Sequence, residues 1–133
     1  MEMTEEVMTI REMCEAYDVT PRALRFYESK ELLFPIRQGQ KRLFTRRDRA
    51  RLTLILKGKS FGFSLEDIRQ ILDLYGSDDH GVAQMQRTLG VAEKRLAEMT
   101  AERDALDASM AALREHVRFV EGRIAETRQQ NAA

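Results

Sequence analysis

The chain has 133 residues, 43% of them apolar and 33% charged, with no Trp and one Cys. That length suits one small globular core plus an extended element, and the composition excludes a disordered chain, a disulfide scaffold and, with no apolar run longer than the stretch around Leu52 to Leu56, a membrane-spanning helix. Net charge is zero, yet twelve Lys/Arg stand against only Glu28, Glu31 and Asp48 between Thr20 and Phe63, whereas eight basic residues meet ten acidic ones from Gly76 onward. Positive charge gathered into one segment is the electrostatic footprint of a surface that meets phosphate, although a solvated face has the same composition.

The opening, Met1 to Glu6, is acidic and has no apolar segment behind it, so no secretory signal is expected and the cytoplasm is the expected compartment. Thr9 with Glu12 has the spacing of a capping box and predicts a first helix whose stripe is Ile10, Met13, Cys14 and Tyr17. On that face Cys14 reads as a small core residue. Thr20 then caps a second helix, with Pro21 at the first helical position, where its missing N–H costs nothing. The link between the two helices is only about Asp18-Val19, and Val19 is spaced to staple onto Leu24. This is the signature of a helix-turn-helix.

From Leu33 to Phe44 the helical period is lost, and Pro35, Arg37, Gly39, Lys41 and Arg42 predict a small basic β-ribbon, a wing. Thr45 with Asp48 opens a third helix, and Phe61-Gly62-Phe63 ends it just after Lys57 and Lys59, a candidate second wing. Ser64 with Asp67 opens a fourth helix with the stripe Leu65, Ile68, Ile71, Leu72 and Tyr75.

Beyond a polar joint at 76–81 the pattern becomes a heptad repeat. Its seam is Val82, Met85, Leu89, Ala92, Leu96, Met99, Arg103, Leu106, Met110, Leu113, Val117, Val120 and Ile124, and twelve of these thirteen positions are apolar. Sustained over 43 residues, about 65 Å of helix, such a stripe is a coiled-coil signal, because one helix cannot cover it alone. Self-association through these side chains is expected, since no central turn signal supports a hairpin. The fold class is therefore mainly α: a winged helix-turn-helix domain with a small β-wing over 1–75, a joint at 76–81, a coiled-coil dimerisation helix over 82–126 and a flexible tail over 127–133.

A helix-turn-helix lays its second helix in the major groove. Thr20 and Pro21 open that helix at the DNA, and Arg22 and Arg25 are placed to read base edges, guanine O6 and N7 being the preferred partners of arginine. Tyr27 offers a hydroxyl to phosphate while its ring packs, and Phe26, with no polar tip, is assigned to the core. Arg37, Lys41 and Arg42 on the wing suit the DNA backbone, as does Lys59. Arg46, Arg47, Arg49 and Arg51 cannot all face DNA from one helix; Arg46 is the candidate contact, and solvation is expected for those that do not touch phosphate. His80 and His116 are isolated, so no metal or other cofactor is expected, and no phosphate loop, nucleophile–histidine pair or apolar-pocket carboxylate pair supports an enzyme.

Met8 to Tyr75 resembles the DNA-binding domain of the MerR family. The resemblance rests on Thr9-Ile10, on Thr20-Pro21-Arg22-Ala23-Leu24-Arg25-Phe26-Tyr27-Glu28, on Leu32-Leu33 with Pro35 and Arg37, on Arg42-Leu43-Phe44, and on Gly62-Phe63-Ser64-Leu65-Glu66-Asp67-Ile68. It implies a homodimer joined by an antiparallel pair of long helices. Such a dimer binds a palindrome in a promoter with an overlong spacer and bends and untwists it, acting on RNA polymerase through the DNA. The chain departs from the family at Glu31, where Gly is common, and lacks the cysteines that metal-sensing members keep near the end of the long helix. Its wing, Arg37 to Arg42, is a residue shorter than in many such members and resembles the subgroup controlling branched-chain amino-acid and fatty-acid degradation. A small-molecule effector remains an unidentified partner, and the competing reading is an architectural or excisionase-like DNA-bending protein that senses nothing. Arg103, the charged seam residue, has three candidate roles: pairing with Glu102 or Asp104 of a partner, lying in solvent at a shifted crossing point, or holding an anionic effector.

Overall fold

A computed structural model describes residues 6–74 and 81–132. The elements are β1 (Met8–Thr9), α1 (Ile10–Tyr17), α2 (Pro21–Ser29), β2 (Ile36–Gln38), β3 (Lys41–Phe44), α3 (Arg46–Ser60), α4 (Leu65–Asp73) and α5 (Val82–Ala132). The four short helices start where their caps predict. Thr9 and Thr45 form complete capping boxes with Glu12 and Asp48. Thr20 accepts the Ala23 N–H, and Ser64 accepts that of Asp67.

The ribbon forms as β2 and β3, antiparallel, with Ile36 opposite Leu43, Arg37 opposite Arg42 and Gln38 opposite Lys41. A third strand, β1, adds on the other side of β3 and pairs Met8 with Phe44 and Thr9 with Leu43. Two residues are too few to show alternation, so this strand left no sequence signal. It ties the start of α1 to the wing.

Met13, Leu24, Tyr27, Leu32, Leu33, Phe44, Leu52, Ile55, Ile68 and Leu72 make one buried cluster, with Ile10, Cys14, Tyr17 and Val19 packed against it. Every element from α1 to α4 except β2 contributes to it, so burial and not local propensity holds these short helices. Burial raises the Cys14 thiol above its ordinary range, nearby Arg25 opposing and Glu15 adding to the effect.

Two helix ends use the same device. After α2, Glu31 adopts φ 59°, its N–H reaches Glu28 O at 2.9 Å and that of Leu32 reaches Tyr27 O at 2.9 Å, a Schellman motif. The departure at Glu31 therefore changes the residue and not the geometry: a side chain occupies a backbone conformation that favours glycine. After α3, Gly62 takes the equivalent position at φ 81°, with Gly62 N–H on Lys59 O and Phe63 N–H on Gly58 O.

The chain divides into two compact units, Met1–Ala92 and Glu93–Ala133. The first extends beyond the expected boundary at residue 75, because the start of α5 packs with α4: Gln84 Nε2 donates to Ile71 O at 3.0 Å, Arg87 pairs with Asp67 at 3.5 Å, and Val91 is buried. The segment from residue 127, expected as a flexible tail, is helical as far as Ala132. α5 continues to Ala132, since Thr127 Oγ1 bonds to Arg123 O and residues 127–132 contain neither Gly nor Pro to break it. Tyr75 and the joint, apart from Gly81, lie outside the described residues.

Candidate nucleic-acid interface

The turn between α1 and α2 is made by Asp18 in the left-handed region, φ 53° and ψ 51°, with its N–H on Cys14 O. Asp tolerates that conformation better than most residues. Thr20 and Pro21 follow, both exposed, and the Thr20 hydroxyl oxygen is already engaged as the cap of α2. Arg22 and Arg25, three residues apart and so on one helical face, are exposed, and neither is in an ion pair among the described residues.

One of their neighbours departs from expectation. Tyr27 is 3% exposed and belongs to the core, whereas Phe26, assigned to the core by its chemistry, is 41% exposed. The reason is rotational: Leu24 and Tyr27 lie three residues apart on the buried face of α2, and Phe26 falls off that stripe. Its ring meets Tyr27 edge-on at 5.9 Å and carries the Lys30 ammonium at 5.6 Å. The Lys59 ammonium lies over the Tyr27 ring at 5.8 Å, which brings the end of α3 against α2.

The wing is tied to the same helix. Glu28 accepts from Arg42 Nε and, at 3.2 Å, from Arg37 Nη1. Burial works to raise the Glu28 pKa, but the hydrogen bonds and charges of Arg42 and Arg37 outweigh it and hold the carboxyl below its ordinary value. Both wing arginines thus have an internal partner. Lys41 remains exposed at the hairpin turn, and Arg46 and Arg47 are exposed at the start of α3.

Two buried charges set the base of the wing. Asp48, besides capping α3 through Thr45, accepts the Phe34 N–H at 2.9 Å. Arg51 is 3% exposed, donates from Nε to Leu32 O at 2.7 Å and stacks its guanidinium over Phe34 at 5.3 Å. Solvation was the alternative to phosphate contact for Arg51, and burial replaces both. Three residues after Asp48 and four before Ile55, it belongs to the buried stripe of α3 with Asp48, Leu52 and Ile55, where a loop carbonyl satisfies it. The sequence marked Asp48 only as a cap of α3 and Arg51 only as one of four arginines on that helix, and it gave Glu28 no role in holding the wing. The signal available was an isolated carboxylate in a basic stretch, in Glu28's case.

Among the described residues no group of His, Cys, Asp and Glu is arranged to hold a metal ion, and no helix is long and apolar enough to cross a membrane. Residues 8–74 match the family model described as MerR HTH family regulatory protein, and residues 49–116 match that described as MerR, DNA binding. The chain is 34% identical over 94 residues to the HTH-type transcriptional regulator ZntR of Escherichia coli strain K12, covering 69% of this chain and 65% of that protein, slightly under two thirds of its length. It is 30% identical to the regulator HmrR of Rhizobium leguminosarum bv. viciae, over 75% of this chain and 81% of that one. Among solved structures, a MerR-family regulator from Bacillus cereus superposes with TM-score 0.57 at 33% identity, covering 77% of this chain and 76% of that one. HiNmlR, a MerR family regulator lacking the sensor domain and bound to promoter DNA, does so with TM-score 0.58 at 26% identity over 77% and 80%. The helix-turn-helix with its clamped wing defines a winged-helix regulator class. The chain belongs to the MerR family of HTH regulatory proteins.

Proposed function

We propose that this chain is a sequence-specific DNA-binding transcription regulator that engages a promoter palindrome as a homodimer and bends and untwists it, reaching RNA polymerase through the DNA. The observation that carries this reading is the pair Arg22 and Arg25, exposed on one face of α2 directly after the helix-turn-helix turn, with the wing clamped to the same helix by Glu28. Side chains so placed read base edges, and deformation of the DNA supplies the regulatory output. Thr20 and Pro21 set the helix entry at the groove; Lys41, Arg46 and Lys59 supply phosphate contacts, and Arg37 and Arg42 hold the wing and add positive field. Tyr27 contributes by packing, with little surface left for a phosphate.

Homodimerisation is supported by the α5 seam. Met85, Leu89, Leu96, Leu106 and Leu113 are each 60–65% exposed in the single chain, a row of large apolar side chains that water disfavours. Such a regulator works in the cytoplasm, where promoter DNA lies, and needs no catalytic machinery. The test is binding to DNA from its own upstream region, by fluorescence anisotropy and footprinting. A protected palindrome with bending is expected; equal affinity for unrelated sequences would overturn the sequence-specific reading in favour of an architectural DNA-bending protein.

A further inference from the structure

Glu28 follows Arg25 by three residues on α2, a spacing at which carboxylate and guanidinium can pair along one helix face. They do not pair here. One Glu28 oxygen accepts from Arg42 Nε and the other from Arg37 Nη1, so both are turned to the wing, and Arg25 is left outside any ion pair among the described residues. Against the effect of burial, the hydrogen bonds and charges of Arg42 and Arg37 hold the Glu28 carboxyl below its ordinary range, so it is ionised wherever DNA binding is measured.

Arg37 and Arg42 sit directly opposite each other across the β2–β3 ribbon. Like charges in that position repel, and an anion beside them relieves the repulsion. Two anions qualify: the Glu28 carboxylate, which is in place before DNA arrives, and a DNA phosphate. They draw on the same guanidinium groups, although each arginine keeps N–H donors beyond the one that Glu28 engages. With Glu28 ionised, the three side chains together carry one net positive charge in place of two, and their pull on any stretch of duplex is reduced accordingly. Lys41 at the hairpin turn and Arg46 at the start of α3 are exposed and have no such internal partner among the described residues.

We infer that Glu28 is a specificity-determining residue for DNA binding: it withholds the two wing arginines from phosphate and ties the wing to α2, so that affinity for arbitrary duplex falls more than affinity for the operator. The asymmetry follows from the tie. A wing free of α2 settles on phosphate in any register, whereas a wing bound to α2 meets the backbone in the position that Arg22 and Arg25 fix by reading base edges. At the operator those base contacts offset what the neutralised arginines withhold; elsewhere nothing does. The inference rests on the sequence-specific reading proposed above and gives Glu28 a role beyond holding the hairpin.

The test compares full-length wild type with Glu28→Gln on two duplexes of equal length, the one protected in the upstream footprint and an unrelated one, from about 50 to 200 mM salt. Glu28→Gln is expected to bind the unrelated duplex about tenfold more tightly, to steepen its salt slope by about one unit, and to lower the ratio of operator to unrelated affinity. In a background carrying Arg37→Gln and Arg42→Gln, the same change at Glu28 should have no effect. No gain on the unrelated duplex would make Glu28 a purely structural clamp and overturn the inference, as would an equal gain in the background lacking both arginines. Should Glu28→Gln fail to fold, single changes in the otherwise native chain decide. Lys41→Gln should flatten the slope on the unrelated duplex by about one unit and Arg37→Gln by clearly less; an equal flattening would overturn the inference. A wild type that binds both duplexes equally would instead remove the sequence-specific reading itself, and this role of Glu28 with it.

Discussion

Arg25 and Glu28 share a helix and differ in what surrounds them. Arg25 is exposed, and its guanidinium is free to meet a base; replacing it with Ala is expected to cost about 1–3 kcal/mol at the specific operator and to relax preference at one base pair. Competition titrations against operator variants check this, and an even loss across all sequences would assign Arg25 to phosphate. Glu28 is held by Arg42 and Arg37, and its pKa lies below the ordinary 4.5. A carboxylate shifted in that direction stabilises the fold fully above its unfolded value, and the contribution is lost as pH falls through the lowered folded value. Carboxyl-carbon NMR of Glu28 should therefore titrate below the free-peptide range, and Arg42→Ala should bring it back. Glu31 offers the opposite opportunity. At φ 59° it bears a side chain in the left-handed region, so Glu31→Gly should raise thermal stability by about 1 kcal/mol.

At the scale of elements, the packing of α4 on α3 depends on a missing side chain. A Cβ at Gly58 would lie 2.9 Å from Ile68 Cγ1 and 3.3 Å from the Phe63 ring. Ile68 is buried and has little room to move, so Gly58→Ala should destabilise by about 1–3 kcal/mol despite its better helix propensity. Chemical denaturation checks the sign. A neutral or stabilising result would mean that Ile68 can swing aside into the apolar cavity that it lines with Phe61 and Ile71. The wing depends in the same way on groups distant in sequence: Asp48 ties the segment before β2, at Phe34, to the cap of α3, and Glu28 ties the wing's two arginines to α2.

For the whole molecule the deciding feature is the uncovered face of α5. Leu106→Pro should break the helix and abolish both sedimentation as a dimer and operator binding, since two half-sites must be held together. Arg103 bonds to Asp104 of its own helix at 3.3 Å and is exposed in the single chain, a local partner that the sequence-based alternatives did not include. Its replacement by Met should tighten the dimer while leaving regulation intact, because it removes a charge from an apolar seam. If promoter output in that variant stops responding to an acidic metabolite that moves the wild type, Arg103 is instead an effector ligand.

Much was legible in the sequence because it is written in local chemistry. Caps at Thr9, Thr20, Thr45 and Ser64, the short turn at Asp18-Val19, the glycine in the ribbon and the heptads of α5 each act through neighbours a few residues away, so spacing alone reveals them. The exposed arginines of α2 follow from the same periodicity. Other features needed the tertiary structure. The partners of Arg37 and Arg42, the burial of Arg51 and Asp48, the exposure of Phe26 beside buried Tyr27, strand β1, and the attachment of residues 82–92 to the first unit all depend on segments meeting across 9 to 43 residues of chain, as the Glu28–Arg37 and Glu6–Arg49 hydrogen bonds do. A local pattern can show that a side chain is charged or apolar, but only the packed fold decides whether it faces solvent, the core or another charge.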